Sequence, residues 1–313
     1  MTMTAMRDDG AGSPMMVRRA LLVGMGLAAT PFWEAMAAQT AGGAASAPLT
    51  LPLKLASITH HIGISVRDVT ASATFYSKLF GGDNVDGEKT PALRYFINLN
   101  SGSGVSGSTS PGSVAIGALG TAGGAGRTVP LIDHICLDAR PFEAAAWEAR
   151  AKQEGYRTGG AGIFIGFDNL PIQLSGGEGV QLSAGAIEKV PTLYKGRALV
   201  RSHGYDHVLV RVSDVEKAAV FFNKFFGLRT VGRSDDVLWL GDGATRLGLR
   251  RVAAGEEPGF DRYAVKVDAF DRAKLSRELT AIGATVAKPV ASDGRKILRF
   301  ADPDGLNVAL TFA

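Results

Sequence analysis

Apolar residues alternate with small or polar ones at Ile62, Ile64 and Val66, the period of a half-buried strand. Asp68 follows as a helix cap. Ala71, Phe75 and Leu79 then recur at helical spacing, and Gly81-Gly82 stops the helix. Leu93–Leu99 and Val114–Leu119 read as further strands. This order of strand, helix, strand and strand, with room for one more, returns three times. The second copy has a strand at Asp133–Asp138 and a helix at Phe142–Gln153, stopped by Gly155. Short strands at Gly162–Phe167, Ile172–Leu174 and Val180–Leu182 complete it. The third runs from His207 through a helix at Asp214–Phe226, ended by Gly227, to strands Val237–Leu240 and Arg246–Arg250. The fourth has Tyr263–Val267, a helix at Asp271–Ile282, and strands Ile297–Phe300 and Asn307–Thr311.

The repeat is visible in words as well as in period. His60-His61-Ile62-Gly63-Ile64-Ser65-Val66-Arg67-Asp68 matches Asp206-His207-Val208-Leu209-Val210-Arg211-Val212-Ser213-Asp214. Asp133-His134-Ile135-Cys136-Leu137-Asp138 is a third copy, and Arg262-Tyr263-Ala264-Val265-Lys266-Val267-Asp268 a degraded fourth. A histidine at a fixed register in repeated modules can become a metal site.

The 313 residues suffice for a leader and two domains. Hydrophobic residues make up 46% and charged residues 20%, as expected of a well-cored globular chain. The 40 glycines cluster at Gly102–Gly126 and Gly159–Gly185, which reads as long hairpin tips. Net charge is +4 with no dense basic run, so nucleic acid is not expected as a partner. The one cysteine, Cys136, excludes an intramolecular disulfide and reads as a small buried residue of a strand.

Residues 1–38 read as an export signal. Arg18-Arg19 is a twin-arginine-like pair, an apolar stretch from Ala20 to Thr30 follows, and Ala35-Met36-Ala37 offers a cleavage site. The stretch is too short for a stable span, which needs about 20 residues. A periplasmic or secreted protein, cleaved near Ala37, is expected. Residues 39–54 read as a linker, 55–190 as an N-terminal module pair, 191–202 as a second linker, and 203–313 as a C-terminal module pair.

Four such modules, with Phe222…Phe226-Gly227-Leu228 and Phe300-Ala301-Asp302-Pro303-Asp304-Gly305 beside the histidine phrases, resemble the vicinal oxygen chelate superfamily. That family includes glyoxalase-type lyases, extradiol ring-cleavage dioxygenases and the bleomycin and fosfomycin resistance proteins. The resemblance implies an α+β fold of four βαβββ modules paired into two open, cup-shaped mixed sheets. It also implies a divalent metal inside a cup, held by one residue from the first strand of each module and one from the last strand of the second module.

On that pattern the N-terminal pair offers His61, His134 and Gln181. Gln181 lies 47 residues after His134, and Ala309 lies 47 after Arg262. Glu178 and Gln173 are alternatives for the third ligand, because Asp168-Asn169-Leu170-Pro171-Ile172-Gln173 also resembles the terminal motif. The C-terminal pair offers His207, Arg262 and Ala309, which cannot hold a dication because Arg and Ala have no lone pair to give. A fourth, lyase-type ligand position falls on Gly117, which has no donor. Two histidines and an amide oxygen are compatible with Fe, Mn, Zn, Ni or Co. His207 reads as structural or substrate-facing, and His60 as a surface or packing residue on the opposite face. Asp68 and Asp214 read as caps, Asp302 and Asp304 as turn formers, and Tyr95, Phe96 and Trp239 as packing residues.

The leading functional reading is an exported metal-dependent enzyme, of ring-cleavage dioxygenase type, acting on a small substrate through vicinal oxygens. A glyoxalase-like lyase or isomerase at the same metal is the alternative. A ligand-binding protein without chemistry is the third. Monomer and homo-oligomer are both compatible with four modules in one chain.

Overall fold

The apolar alternation in each module's first strand decides the architecture, because it gives every sheet one face to bury and one to leave open. The computed structural model describes residues 51–81, 85–88, 94–99, 112–119, 128–139, 142–160, 162–175, 193–234, 236–241, 245–290 and 296–312. The predicted leader, Glu178, Gln181 and the strand expected at Val180–Leu182 lie outside the described residues.

The first module comprises β1 (Leu55–Val66), α1 (Val69–Phe80), β2 (Val85–Glu88), β3 (Arg94–Asn98) and β4 (Ser113–Ala118). The second comprises β5 (Leu131–Ala139), α2 (Ala144–Gln153), β6 (Arg157–Gly160), β7 (Ile163–Ile165) and β8 (Pro171–Ser175). The third comprises β9 (Ser202–Val212), α3 (Val215–Phe226), β10 (Arg229–Ser234), β11 (Val237–Gly241) and β12 (Arg246–Arg251). The fourth comprises β13 (Gly259–Val267), α4 (Arg272–Ala281), β14 (Thr285–Val286), β15 (Ile297–Ala301) and β16 (Asn307–Thr311). The strands β2, β6, β10 and β14 were not specified by the periodicity. All four are sheet edges, and β10 is exposed at every position, so no apolar alternation marks it.

Two eight-stranded sheets result, ordered β2-β3-β4-β1-β5-β8-β7-β6 and β10-β11-β12-β9-β13-β16-β15-β14. In each, two modules join through their first strands, β1 with β5 and β9 with β13, antiparallel. Each first strand also pairs in parallel with the last strand of its own module. The sheets are mixed and open, and the architecture is the expected α+β arrangement of paired modules.

One face of each sheet packs under helices. Ile62, Ile64, Val66, Ile135, Leu137, Ile172 and Leu174 join the main apolar core, as do Val208, Val210, Tyr263, Val265, Val308 and Leu310. The alternate residues, from His61 and Gly63 to Cys136 and Gln173, lie on the other face. The helix starts follow from local chemistry. Asp68 accepts from the Ala71 N–H at 2.9 Å, Asp214 from Glu216 and Lys217 at 3.1 Å, and Asp271 from Lys274 at 2.8 Å. Such caps are worth about 1 kcal/mol each. Gly227, at φ 66°, ends α3 in the left-handed region and returns its N–H to Asn223.

The described residues fall in one compact unit, Pro31–Ala313. Phe221, Phe225 and Phe226 of α3 pack with Phe164 of β7, and Phe225 and Phe226 also meet Trp147 of α2, which ties the third module to the second. The first and fourth modules meet through hydroxyls. Tyr76 donates to Asp302 at 2.7 Å, and Tyr263 donates to Tyr76 at 3.0 Å. Asp302 is a turn former, accepting from the Asp304 and Leu306 N–H groups, and is also a buried acceptor between modules.

Candidate metal centre

Strands β1 and β5 place Gly63 opposite His134 and His61 opposite Cys136. This register sets His61 and His134 on the face away from the helices. His61 Nε2 and His134 Nε2 face each other at 3.0 Å, with the rings edge to face. The approach depends on Gly63. A Cβ there would stand 2.1 Å from His134 Cε1 and 2.4 Å from its Nδ1, so the imidazole occupies the space that any side chain would fill.

Each ring has a partner behind it. His134 Nδ1 donates to the Asp133 carboxylate at 2.8 Å, and that carboxylate is wholly buried. This leaves a lone pair on His134 Nε2, aimed at His61. A carboxylate behind a histidine is the usual support of a metal ligand, because it fixes the tautomer and raises the basicity of the other nitrogen. His61 Nδ1 lies 3.0 Å from His60 Nδ1. Burial holds the His61 pKa well below the usual imidazole range, and the charges that His134 and His60 would carry push it the same way. His61 therefore rests neutral, as a ligand must be.

Gln173 stands beside the pair. It lies on β8 beside Cys136, is buried, and hydrogen-bonds the His61 ring. The register shows that Gln173 holds the place Ala309 holds in the other half, since Cys136 pairs with Gln173 as Ala264 pairs with Ala309. The sequence spacing had put Gln181 there. The connections between β5 and β8 are shorter than those between β13 and β16, so the register and the equal spacing point to different residues. Gln181 lies outside the described residues. The first module's corresponding position is Ala115, opposite Gly63 on β4, rather than Gly117. Neither residue has a side-chain donor.

His60 departs from the expected packing role on the other face. The β1–β5 pairing slips between Ser57 and His61, and His60 is buried with its Nδ1 against His61. No signal in the alternation pointed to it, because a bulge breaks the period of two. Donor atoms of His60, His61 and Cys136 lie within 4.8 Å of one another. Burial pushes the Cys136 thiol well up, with the Asp138 charge adding to it, so this cysteine sits as a neutral thiol and agrees with the packing role expected.

The donor set fits a divalent metal. A ring nitrogen sits about 2.0–2.1 Å from a bound dication, so two at right angles are about 3.0 Å apart and two at the tetrahedral angle about 3.4 Å. The 3.0 Å between them is a hydrogen-bond separation, and it also lies within the range that two nitrogens on one metal would have.

The other sheet keeps one histidine with its carboxylate but not the second histidine, the glycine or the amide. His207 stands where His61 does, Arg262 where His134 does, Leu209 where Gly63 does, and Ala309 where Gln173 does. His207 Nδ1 donates to Asp206 at 2.7 Å, its ring meets Trp239 edge to face, and Arg246 lies over the Trp239 ring. Among the described residues, no helix is long and apolar enough to cross a membrane.

Comparison with known proteins agrees with this architecture. Residues 207–311 match the glyoxalase-like domain family. No curated protein matches the chain. Among solved structures, a Mn(II)-bound glyoxalase from Novosphingobium aromaticivorans aligns over 83% of each chain at 15% identity with a TM-score of 0.55. The 2,3-dioxygenase LapB from Pseudomonas sp. KL28 aligns over 83% of this chain and 93% of its own, at 13% identity and 0.56. Homoprotocatechuate 2,3-dioxygenase from Arthrobacter globiformis aligns over 85% and 82%, at 14% identity and 0.56. The chain has the fold of the vicinal oxygen chelate superfamily, with a glyoxalase-like domain in its C-terminal half.

Proposed function

We propose that the chain is an exported metal-dependent enzyme whose N-terminal sheet holds one divalent metal on His61, His134 and Gln173. The observation that carries this reading is the pair of imidazole nitrogens 3.0 Å apart over Gly63, with Asp133 behind one of them. Asp133 keeps the proton of His134 on Nδ1 and turns Nε2 to the metal. Burial keeps His61 neutral. Gln173 adds an amide oxygen without charge, so the protein leaves the metal's charge uncompensated and favours an anionic substrate. When bound, the metal supplies Lewis acidity to a substrate held through two neighbouring oxygens.

The reaction class put first is ring cleavage of a small substrate held through vicinal oxygens; two of the structural neighbours are named as 2,3-dioxygenases. A lyase or isomerase reaction at the same metal is the second reading. The neutral Gln173 favours it, since the carboxylate of the facial iron arrangement is missing. Export rests on the twin-arginine-like leader and is tested by finding the mature chain, cut near Ala37, in the periplasm or medium.

The experiment for the metal is elemental analysis of chain purified without chelators, with His134→Ala beside it. About one equivalent of iron or manganese, lost in the variant with the fold intact, supports the reading and leads to a screen of catechols. Zinc, nickel or cobalt moves it to a lyase or isomerase. No metal, even after reconstitution, sinks it in favour of a ligand-binding protein.

A further inference from the structure

In three of the four modules the residue just before the strand's histidine holds that histidine's Nδ1. His134 donates to Asp133 at 2.8 Å, and His207 donates to Asp206 at 2.7 Å. In the first module the same place is taken by His60, whose Nδ1 lies 3.0 Å from His61 Nδ1. The ring of His60 is buried and meets that of His61 edge to face. The change of residue type changes the bond. A carboxylate only accepts, so it keeps a proton on the neighbouring Nδ1. An imidazole nitrogen accepts or donates, according to its tautomer.

The contacts fix the direction of the bonds in the metal-free chain. His134 commits its proton to Asp133, which leaves its Nε2 as an acceptor. The proton of the 3.0 Å contact between the two Nε2 atoms therefore sits on His61. Burial keeps His61 neutral, so it carries no second proton. Its Nδ1 accepts, and His60 Nδ1 donates. Three imidazoles and one carboxylate form a chain in which each of these N–H groups points toward Asp133.

That direction suits His134 as a ligand but not His61. His61 Nε2 carries a proton where a metal needs a lone pair. The proton has to move to Nδ1, and a buried Nδ1–H then needs an acceptor. Nδ1 of His60, 3.0 Å away, becomes that acceptor once its own proton is gone.

We infer that His60 is the positioning residue of His61, and that the hydrogen bond between them reverses when His61 takes a dication. This rests on the metal reading of the first sheet. His61 gives up its Nε2 proton and receives the Nδ1 proton of His60, and His60 takes up one proton at Nε2. The two rings hold two protons before and after, so none is released. In the loaded chain His61 Nδ1 donates to His60 as His134 Nδ1 donates to Asp133. An aspartate in the place of His60 would hold His61 in the ligand tautomer throughout. The histidine lets His61 bond to His134 without metal and still serve as a ligand with it.

The test reads histidine tautomers by long-range proton–nitrogen NMR of the full chain, metal-free and loaded with zinc. His61 is expected to be protonated at Nε2 and His60 at Nδ1 without metal, and the reverse with zinc. His60→Phe, which offers no nitrogen, is expected to lower zinc affinity by about 10–100-fold. His60→Asp supplies the acceptor that the other modules use, and is expected to keep affinity at or above that of the wild type. That rescue separates a hydrogen-bonding role from packing, since aspartate does not fill the space of the ring. Nδ1 protonation of His61 in the metal-free wild type, unchanged affinity in His60→Phe with the fold intact, or a loss in His60→Asp equal to that in His60→Phe would each overturn the inference. If His60→Phe does not fold, the wild-type tautomers and His60→Asp decide it. A wild type that binds no zinc overturns the metal reading and the reversal together, whereas zinc binding with unmoved tautomers overturns the reversal alone.

Discussion

The imidazole of His134 lies on Gly63. The two residues face each other across β1 and β5, and a methyl on Gly63 would overlap the ring at 2.1 Å. In the other sheet the position of Gly63 is Leu209 and that of His134 is Arg262. A bare backbone therefore goes with a histidine in one half, and a filled one with a longer, flexible side chain in the other. Gly63→Ala should push the His134 ring off its place and lower metal affinity by at least about tenfold. The stability cost of such crowding is about 1–3 kcal/mol. Metal titration followed with circular dichroism checks this; unchanged affinity would show that the ring needs no such seat.

Asp133 acts through His134. Asp133→Asn keeps the shape but takes away the carboxylate that holds Nδ1–H. Metal affinity is expected to fall about 10–100-fold, the usual effect of losing a carboxylate behind a ligating histidine. Competition with a chelator of known affinity measures it. Equal affinity in wild type and variant would place Asp133 outside the site's chemistry.

Gln173 and Gln181 make different predictions. If Gln173 is the third ligand, Gln173→Ala weakens metal binding and Gln181→Ala does not. Gln173→Glu should tighten it, because a carboxylate adds charge to a neutral set. Affinities of the three variants decide the matter, and a loss confined to Gln181→Ala would reverse the assignment.

His207 sets a pH dependence. Burial is the largest effect and holds its pKa below the usual imidazole range against the pull of Asp206. The unfolded chain then binds a proton more readily than the folded one, so stability is full above about pH 6.5 and falls as pH drops toward the folded pKa. His207→Phe should flatten that limb relative to wild type. Thermal melts at intervals from pH 7.5 to 5 (about that span) test it, and parallel curves for the two proteins would refute it.

Tyr76→Phe should destabilise the chain by about 1–3 kcal/mol, since Asp302 would lose its phenol donor while burial holds that carboxyl above its usual range. Denaturant unfolding would measure the change. An unaltered midpoint would mean that the backbone N–H groups of Asp304 and Leu306 satisfy Asp302 alone.

The helices were legible because their signals are local. Asp68, Asp214 and Asp271 cap from within their own turns, and Gly227 ends α3 through its own φ. Strands β1, β5, β9 and β13 were legible because one face of each is buried under helices and alternates. The edge strands β2, β6, β10 and β14 were not, because an edge buries little. The site was legible in part. His61 and His134 share a repeated register, which the sequence shows. His60 was hidden by a bulge, and the place of Gln173 by a difference in loop length between the two halves.

The sequence by itself determined the repeat, the module order, the two histidines, and the Arg and Ala at the matching positions of the C-terminal half. These depend on residue type and on periods of a few residues. Only the tertiary structure decided that Gly63 seats His134, that Asp133 and His60 stand behind the two rings, and that Gln173 reaches His61. Each of these depends on pairing between strands far apart in the chain. A one-residue slip in that pairing would send every one of those side chains to the other side of the sheet.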